Sequence, residues 1–181
     1  ADVLVLLDDV QFPKTGGGVW TNRCGILDRG QRTWFTASIS RAFHGTRTIR
    51  EIELASGPVW REKLMRKFEH AYAANPRRNE VRSLLAADLL GVQSRLIDLN
   101  MSALYRFGAV LGLDLEKVVL SSSLQVEATG TERLGAIIEK LGGDVYLCGA
   151  GADGYQKDEI LAAMGIGVRY QDFEHPPYGQ S

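Results

Sequence analysis

The sequence predicts an α/β protein: a Rossmann-like layered fold with a mainly parallel sheet, carrying a β-hairpin excursion and a helical segment in its first half. Three observations carry that prediction. Residues 117–173 alternate strand, helix, strand, helix, strand with short connections, the pattern of βαβ units on a parallel sheet. Val3 to Val10 is a continuous apolar run ended by Asp8 and Asp9, which suits a central strand covered on both faces. Gly142 to Gly154 reads as helix stop, buried strand and glycine-rich turn. In open α/β sheets, ligands sit beyond the carboxyl ends of the strands. The loop from Gly149 to Tyr155 is therefore the first place to expect a site.

Taken in order, Asp8 and Asp9 emerge at the end of the first strand, either capping a turn or facing a ligand. Lys14 to Gly18 is a glycine-rich bend that lacks the spacing of a phosphate loop, so a hairpin tip is expected there. Val19–Arg29 and Gln31–Ile39 form two strands joined by Asp28-Arg29-Gly30, within a hairpin region spanning 20–54. Arg23 offers a fork for a carboxylate or phosphate, against the commoner outcome of a solvated arginine. His44 lies in a loop, where a solvated role is expected. Thr48 to Leu54 alternates like a short edge strand.

The helical segment covers 57–112. Pro58 after Ser56-Gly57 starts a helix whose Trp60, Leu64, Phe68 and Tyr72 recur every four residues. Arg61, Lys63, Arg66 and Lys67 fall elsewhere and, with Arg77, Arg78 and Arg82, read as a solvated basic face. Glu80–Leu90 and Ser94–Leu111 are two further helices. The second shows a stripe of Leu96, Ile97, Asn100, Leu104, Phe107 and Leu111, in which Asn100 reads as a buried hydrogen-bond anchor or, as the alternative, the end of a pocket wall. Lys117 to Leu120 is a strand, and Ser121 and Ser122 follow it as turn residues or ligand-facing hydroxyls. Thr129-x-x-Glu132 fits a capping box, Leu134, Ile137, Ile138 and Leu141 fill the helical template, and Gly142 stops it. Asp144 to Cys148 is the next strand, Gln156 to Met164 a short helix and Val168 to Phe173 the last strand.

Composition narrows the function classes. The 181 residues are 45% hydrophobic and 24% charged with a formal net charge of -1, ordinary for a globular chain. Such a balance gives no reason to expect nucleic acid as a partner. No apolar run approaches the roughly 20 residues of a membrane-spanning helix. Cys24 and Cys148 are too far apart for a redox or zinc motif, so a reducing cytoplasm is expected, with Cys148 a small buried hydrophobe. No metal site and no cofactor are expected.

In sequence order, Asp8-Asp9-Val10-Gln11-Phe12, Trp20-x-Asn22-Arg23, Asp98-Leu99-Asn100, Ser121-Ser122-x-Leu124, Glu132-Arg133-Leu134 and Leu141-Gly142-x-Asp144-x-Tyr146-Leu147-x-Gly149 resemble the WbqC-like protein family. The ending Gln171-Asp172-Phe173-x-His175-Pro176-x-Tyr178-x-Gln180 is the most specific part of the resemblance. The resemblance runs over essentially the whole chain as a single WbqC-like domain, 1–181. It implies a bacterial protein of O-antigen and other surface-polysaccharide gene clusters, in a family treated as transferases without a settled reaction. Family members usually carry a strand before the Asp8-Asp9 motif and continue beyond Gln180, so terminal segments are expected to be missing here. Gly16 to Gly18 also looks longer than usual.

Under this resemblance the leading function is transfer of a small acyl or aminoacyl group onto a nucleotide sugar or surface-glycan precursor. Asp9 or His175 is the candidate general base, and Arg23 an anion clamp. Asp8, Gln11, Asn22, Ser121, Ser122, Gly149, Gly151, Asp153, Tyr155, Tyr178 and Gln180 are candidate binding residues. The alternative is a non-catalytic protein of the same pathway that binds the nucleotide sugar or assembles with others. A nucleotide-dependent Rossmann-like enzyme is the weaker third reading. Gly149-x-Gly151-x-x-Gly154 matches the dinucleotide spacing, but no acidic residue follows as cleanly as that fingerprint asks, Asp172 being the nearest candidate. A small-molecule substrate is the expected partner, and the oligomeric state is left open.

Overall fold

A computed structural model describes residues 2–13, 20–149 and 156–174. The chain divides into two compact units, one of Ala1–Leu7 with Lys117–Gln180 and the other essentially Asp8–Glu116. Helices and short strands mix in sequence, which makes the protein α/β.

In the first unit, β1 (Leu4–Leu6) and β4 (Val118–Leu120) pair in parallel, with Leu6 opposite Leu120. A second parallel pair joins β5 (Val145–Gly149) to β6 (Gly167–Gln171). Helices α4 (Gly130–Lys140) and α5 (Asp158–Ala163) complete the strand–helix alternation expected from sequence. Ile138, Leu161 and Ile166 form its core, with Leu134, Tyr146, Met164 and Val168 packed against them. The apolar template of α4 thus faces this core, as its spacing requires. Gly142, at φ 68°, ends α4, and the N–H groups of Gly142 and Gly143 donate to the carbonyls of Glu139 and Ile138. Thr129 occupies the N-cap position without making a side-chain cap bond, so the expected capping box is not formed. The strand β1 is shorter than Val3–Val10, because a turn begins at Asp8.

The second unit is built on the antiparallel hairpin of β2 (Arg23–Asp28) and β3 (Gln31–Thr36). Arg29 and Gly30, at φ 53° and 77°, make the two-residue turn whose twist matches a hairpin. Three helices, α1 (Val59–Ala71), α2 (Arg78–Leu89) and α3 (Leu96–Val110), accompany it. Its core contains Phe12, Ile52, Leu54, Trp60, Leu64, Met65, Leu89, Leu96 and Leu99. The four-residue spacing of α1 is accordingly its buried face. On α3 the face differs from the expected stripe: Leu99 is buried, and Leu111 is 72% exposed beyond the end of the helix.

Thr48–Leu54 is not an edge strand. Ile49–Glu51 is a 3-10 turn, because the Glu51 carboxylate accepts from both the Thr48 N–H and its hydroxyl at 2.8 Å. The backbone N–H bond from Thr48, then its hydroxyl, hold Glu51 below its ordinary carboxylate value. A depressed folded-state pKa means this contribution is present above the unfolded value and lost as pH falls. Beyond the turn, Leu54 bridges Ile39 and Glu53 bridges Arg95 as isolated pairings.

The basic face is also not wholly solvated. Arg61 is buried, donating from Nη1 to the Leu89 carbonyl at 2.9 Å and from Nη2 to that of Gln93 at 2.6 Å. A cation therefore meets the orphan carbonyls that close α2, where the helix dipole favours it. Burial draws the Arg61 pKa downward, and a guanidinium remains charged regardless. Lys67 donates to the Thr33 hydroxyl at 2.8 Å and to the Trp34 carbonyl at 2.5 Å, tying α1 to the hairpin. Arg61→Met should lower stability by about 2–4 kcal/mol, since buried carbonyls lose a charged donor. Lys63→Met, on the exposed side of the same helix, should change it by less than about 0.5 kcal/mol. Urea unfolding midpoints of the two variants check this, and equal midpoints would refute the role given to Arg61.

Candidate functional site

The second unit carries a partly open cavity of about 210 Å³ beside its hairpin. That is smaller than the roughly 300–1,000 Å³ of sites for drug-sized ligands. Its walls are apolar, from Phe35, Leu64, Leu85 and Leu99, while Trp20, Asn22, Arg23, Asp88 and Asn100 supply polar or aromatic edges. Two of the sequence-predicted binding residues, Asn22 and Arg23, thus line one cavity.

Several of these edges are held by the fold. Asn22 Nδ2 donates to the Ala37 carbonyl at 3.0 Å, and Asn100 Nδ2 donates to the Thr21 carbonyl at 2.9 Å. Asn100 is therefore the expected anchor, linking α3 to the segment entering β2. Asp88, 2% exposed, accepts from Ser102 Oγ at 2.5 Å and from Arg106 Nε at 3.2 Å. A buried carboxylate needs such partners. Arg23 lies over the Trp34 ring, 4.2 Å from its centroid.

The remaining predicted residues of this unit sit on another segment. Asp8 is buried, Asp9 half-buried and Gln11 exposed. Their stretch is pinned to 47–50: Arg50 N–H donates to the Asp8 carbonyl at 2.8 Å, Ile49 N–H to that of Val10 at 3.0 Å and Phe12 N–H to that of Arg47 at 2.8 Å. Gln11 bridges Thr48. His44 is exposed in its loop.

The whole chain, residues 1–181, matches the model of the WbqC-like protein family. The chain belongs to that family. No curated protein and no solved structure matches it.

In the first unit of this WbqC-like chain, Ser121 follows β4 directly and is fully buried at the start of a 3-10 turn, Ser121–Leu124. Ser122 is half-buried, and Ser123 Oγ donates to the Leu120 carbonyl at 2.7 Å, a turn role. Gly149 ends β5, and among the described residues a Cβ there would meet nothing within 4 Å. Gly151, Asp153, Tyr155, His175, Tyr178 and Gln180 lie outside the described residues, as does the bend at Lys14 to Gly18. Among the described residues no helix is long and apolar enough to cross a membrane.

Sequence reasoning missed three groups. Asp88, Ser102 and Arg106 come from two helices, and no spacing within either announces their meeting. Asp158, Gln156 and Tyr170 form a cluster at the end of β6: Tyr170 Oη donates to Asp158 at 2.8 and 3.0 Å, and Gln156 Nε2 donates at 2.6 Å. Trp34 and Arg32 beside Arg23 are the third, and their alternation on β3 was a legible signal of a shared face.

Cys148 is buried, as expected, and Cys24 is exposed. Desolvation raises the thiol pKa of both, and beside Cys148 a hydrogen bond from Gln156 opposes the rise while Asp158 adds to it. A raised pKa leaves less thiolate at pH 8 and slows alkylation. Iodoacetamide should modify native Cys24 alone, more slowly than a free thiol, and reach Cys148 only in denaturant. Mass spectrometry of the digested protein checks this, and rapid native labelling of Cys148 would refute its burial.

Proposed function

We propose that this protein transfers a small acyl or aminoacyl group onto a nucleotide sugar or related surface-polysaccharide precursor in the bacterial cytoplasm. The observation that carries the reading is the cavity of about 210 Å³ with apolar walls and Arg23 and Asn22 at its edge. A space of that size suits a small transferred group, and a guanidinium suits the phosphate or carboxylate attached to it. Family membership supports the pathway, through its link to O-antigen gene clusters. The parallel pairs β1–β4 and β5–β6 support a Rossmann-like, mainly parallel arrangement of the first unit.

In this reading the acceptor is an amino or hydroxyl group of the sugar. Asp9 or His175 takes its proton as the new bond to the acyl carbon forms and the donor's leaving group departs with the electron pair. Asp8, Gln11, Ser121, Ser122, Gly149, Gly151, Asp153, Tyr155, Tyr178 and Gln180 are the proposed substrate-binding residues. Nucleic acid and membrane insertion have no part in it.

A second reading, a non-catalytic nucleotide-sugar-binding protein, is favoured by one observation. The side chains of Asn22, Asn100 and Asp88 at the cavity are committed to bonds within the fold. Incubation with nucleotide amino sugars and acyl or aminoacyl donors, read by mass spectrometry, separates the two. Transfer should appear, and Asp9→Asn or His175→Ala should lower it by about 10²–10⁴-fold. Saturable binding with no product under any donor would establish the second reading, and activity unchanged in both variants would remove the assigned bases.

A further inference from the structure

The cavity beside the hairpin is lined by one face of the hairpin and by residues of its three helices. Asn22 and Cys24 share a side of the hairpin with Phe35 and Ala37: Cys24 pairs with Phe35, and the Ala37 N–H donates to the Asn22 carbonyl at 2.8 Å. Leu99 and Ala103 come from one face of α3, and Leu85 and Asp88 from one face of α2. Two of these positions are small where their neighbours are large. Ala37 and Ala103 carry a single methyl each, and the space exists because neither side chain fills it.

The polar groups on its walls are turned to the fold. Asp88 accepts from Ser102 Oγ and Arg106 Nε, and the amide nitrogens of Asn22 and Asn100 donate to the carbonyls of Ala37 and Thr21. An ammonium entering among Leu64, Leu85 and Leu99 would give up its water and meet a carboxylate that a guanidinium already answers. A carboxylate there would lie beside Asp88. Neither loss of hydration is repaid, whereas an apolar chain loses nothing by entering. Volume sets the upper limit. An apolar cavity of roughly 150 Å³ takes up benzene, with its six carbons. The cavity here is about 210 Å³ with part of that at its open mouth, so about six carbons fill it.

The geometry points to an uncharged aliphatic acyl chain of about three to six carbons as the transferred group, with Ala37 and Ala103 setting its length. Its tail lies among Leu64, Leu85 and Leu99, and its carbonyl is at the mouth, beside the exposed Trp20 and Cys24. This rests on the transfer proposed above and decides between its two donors. An acyl group fits the cavity, and an aminoacyl group, whose ammonium stands one carbon from the carbonyl, does not.

Titration of the full chain with straight-chain primary amides from acetamide to octanamide, followed by ligand NMR, tests the inference. Each added methylene should tighten binding about fourfold, levelling off beyond about six carbons. The ammonium form of 2-aminobutanamide, close to butanamide in shape, should bind about tenfold more weakly or worse. Saturating hexanamide should slow iodoacetamide labelling of Cys24, which lines the same cavity. Ala103→Leu, a change that helices tolerate, should move the levelling point down by about two or three carbons. Leu85→Ala should move it up by about one or two. A damaged fold weakens short and long amides alike, so shifts in opposite directions have no such origin, and Leu85→Ala decides should Ala103→Leu not fold. Absence of saturable binding, a levelling point unmoved in the folded variants, undiminished labelling of Cys24, or 2-aminobutanamide binding as tightly as butanamide would each overturn it. Length-limited binding with no group transfer from any donor keeps the chain-length site and removes the transfer. Transfer whose chain-length preference is the same in Ala103→Leu and Leu85→Ala does the reverse.

Discussion

The second unit depends on the segment from Arg47 to Ala55, whose backbone is bonded on every side. Ahead of Ile52 it holds the Asp8–Phe12 stretch through Arg47, Ile49 and Arg50. After Ile52 it works in two directions. Ser40 N–H donates to the Glu53 carbonyl and Ala55 N–H to that of Ser38, while Leu54 N–H donates to Ser94 and Leu96 N–H to Ile52, at 2.7–2.9 Å. Ile52 and Leu96 are both fully buried at this junction. Backbone groups buried this deeply need partners, because an unmade bond there costs about 1–3 kcal/mol. One irregular segment thus sets the position of the hairpin's tail, the start of α3 and the acidic stretch. Asn100 then carries that constraint to the cavity, since α3 begins at this junction and Asn100 holds the Thr21 carbonyl.

The polar knot beside the cavity follows from helix ends. Helix α2 stops at Leu89 with its carbonyls pointing inward, and Arg61 from α1 satisfies them. Asp88 on the last turn would be repelled by the same dipole. Its carboxylate is instead answered by Ser102 and Arg106 from α3. The two interactions bind three helices to one another at a single helix terminus. An apolar residue in place of Arg61 would leave the carbonyls without donors, so chemistry and packing cannot be exchanged there. This is why the cavity wall formed by Leu85, Asp88 and Leu89 has a fixed position.

Periodicity made the elements legible, and partner choice made the rest obscure. The helices α1 and α4 follow their apolar spacing, and the hairpin follows its Arg29-Gly30 turn, because these signals are local. Thr48–Leu54 alternates like a strand, yet Thr48 and Glu51 satisfy each other across three residues and close a turn instead. Local side-chain bonds of this kind compete directly with strand pairing. Arg61 looked solvated because it falls outside the apolar spacing of its helix, whereas its partners are carbonyls 28 and 32 residues away. Carbonyl groups leave no trace in side-chain composition. Of the candidate site, Asn22 and Arg23 were legible as polar residues on a strand. Their shared cavity depended on three helices whose contacts the sequence does not encode locally.

The same distinction bears on charge. A net charge of -1 says nothing for an anionic ligand when it is read over the whole chain. Screening confines exposed charges to about 8–10 Å at physiological ionic strength, so only the nearest groups decide what a surface attracts. Around Trp34 those groups include Arg23 and Arg32, stacked on its ring, and Lys67, whose ammonium meets the Trp34 carbonyl. A guanidinium fixed on an indole has already given up much of its rotamer freedom, so its position is set by the fold. A glycine with no chemistry of its own, Gly25, helps to set this arrangement: its missing Cβ leaves the space in which the Arg32 guanidinium rests.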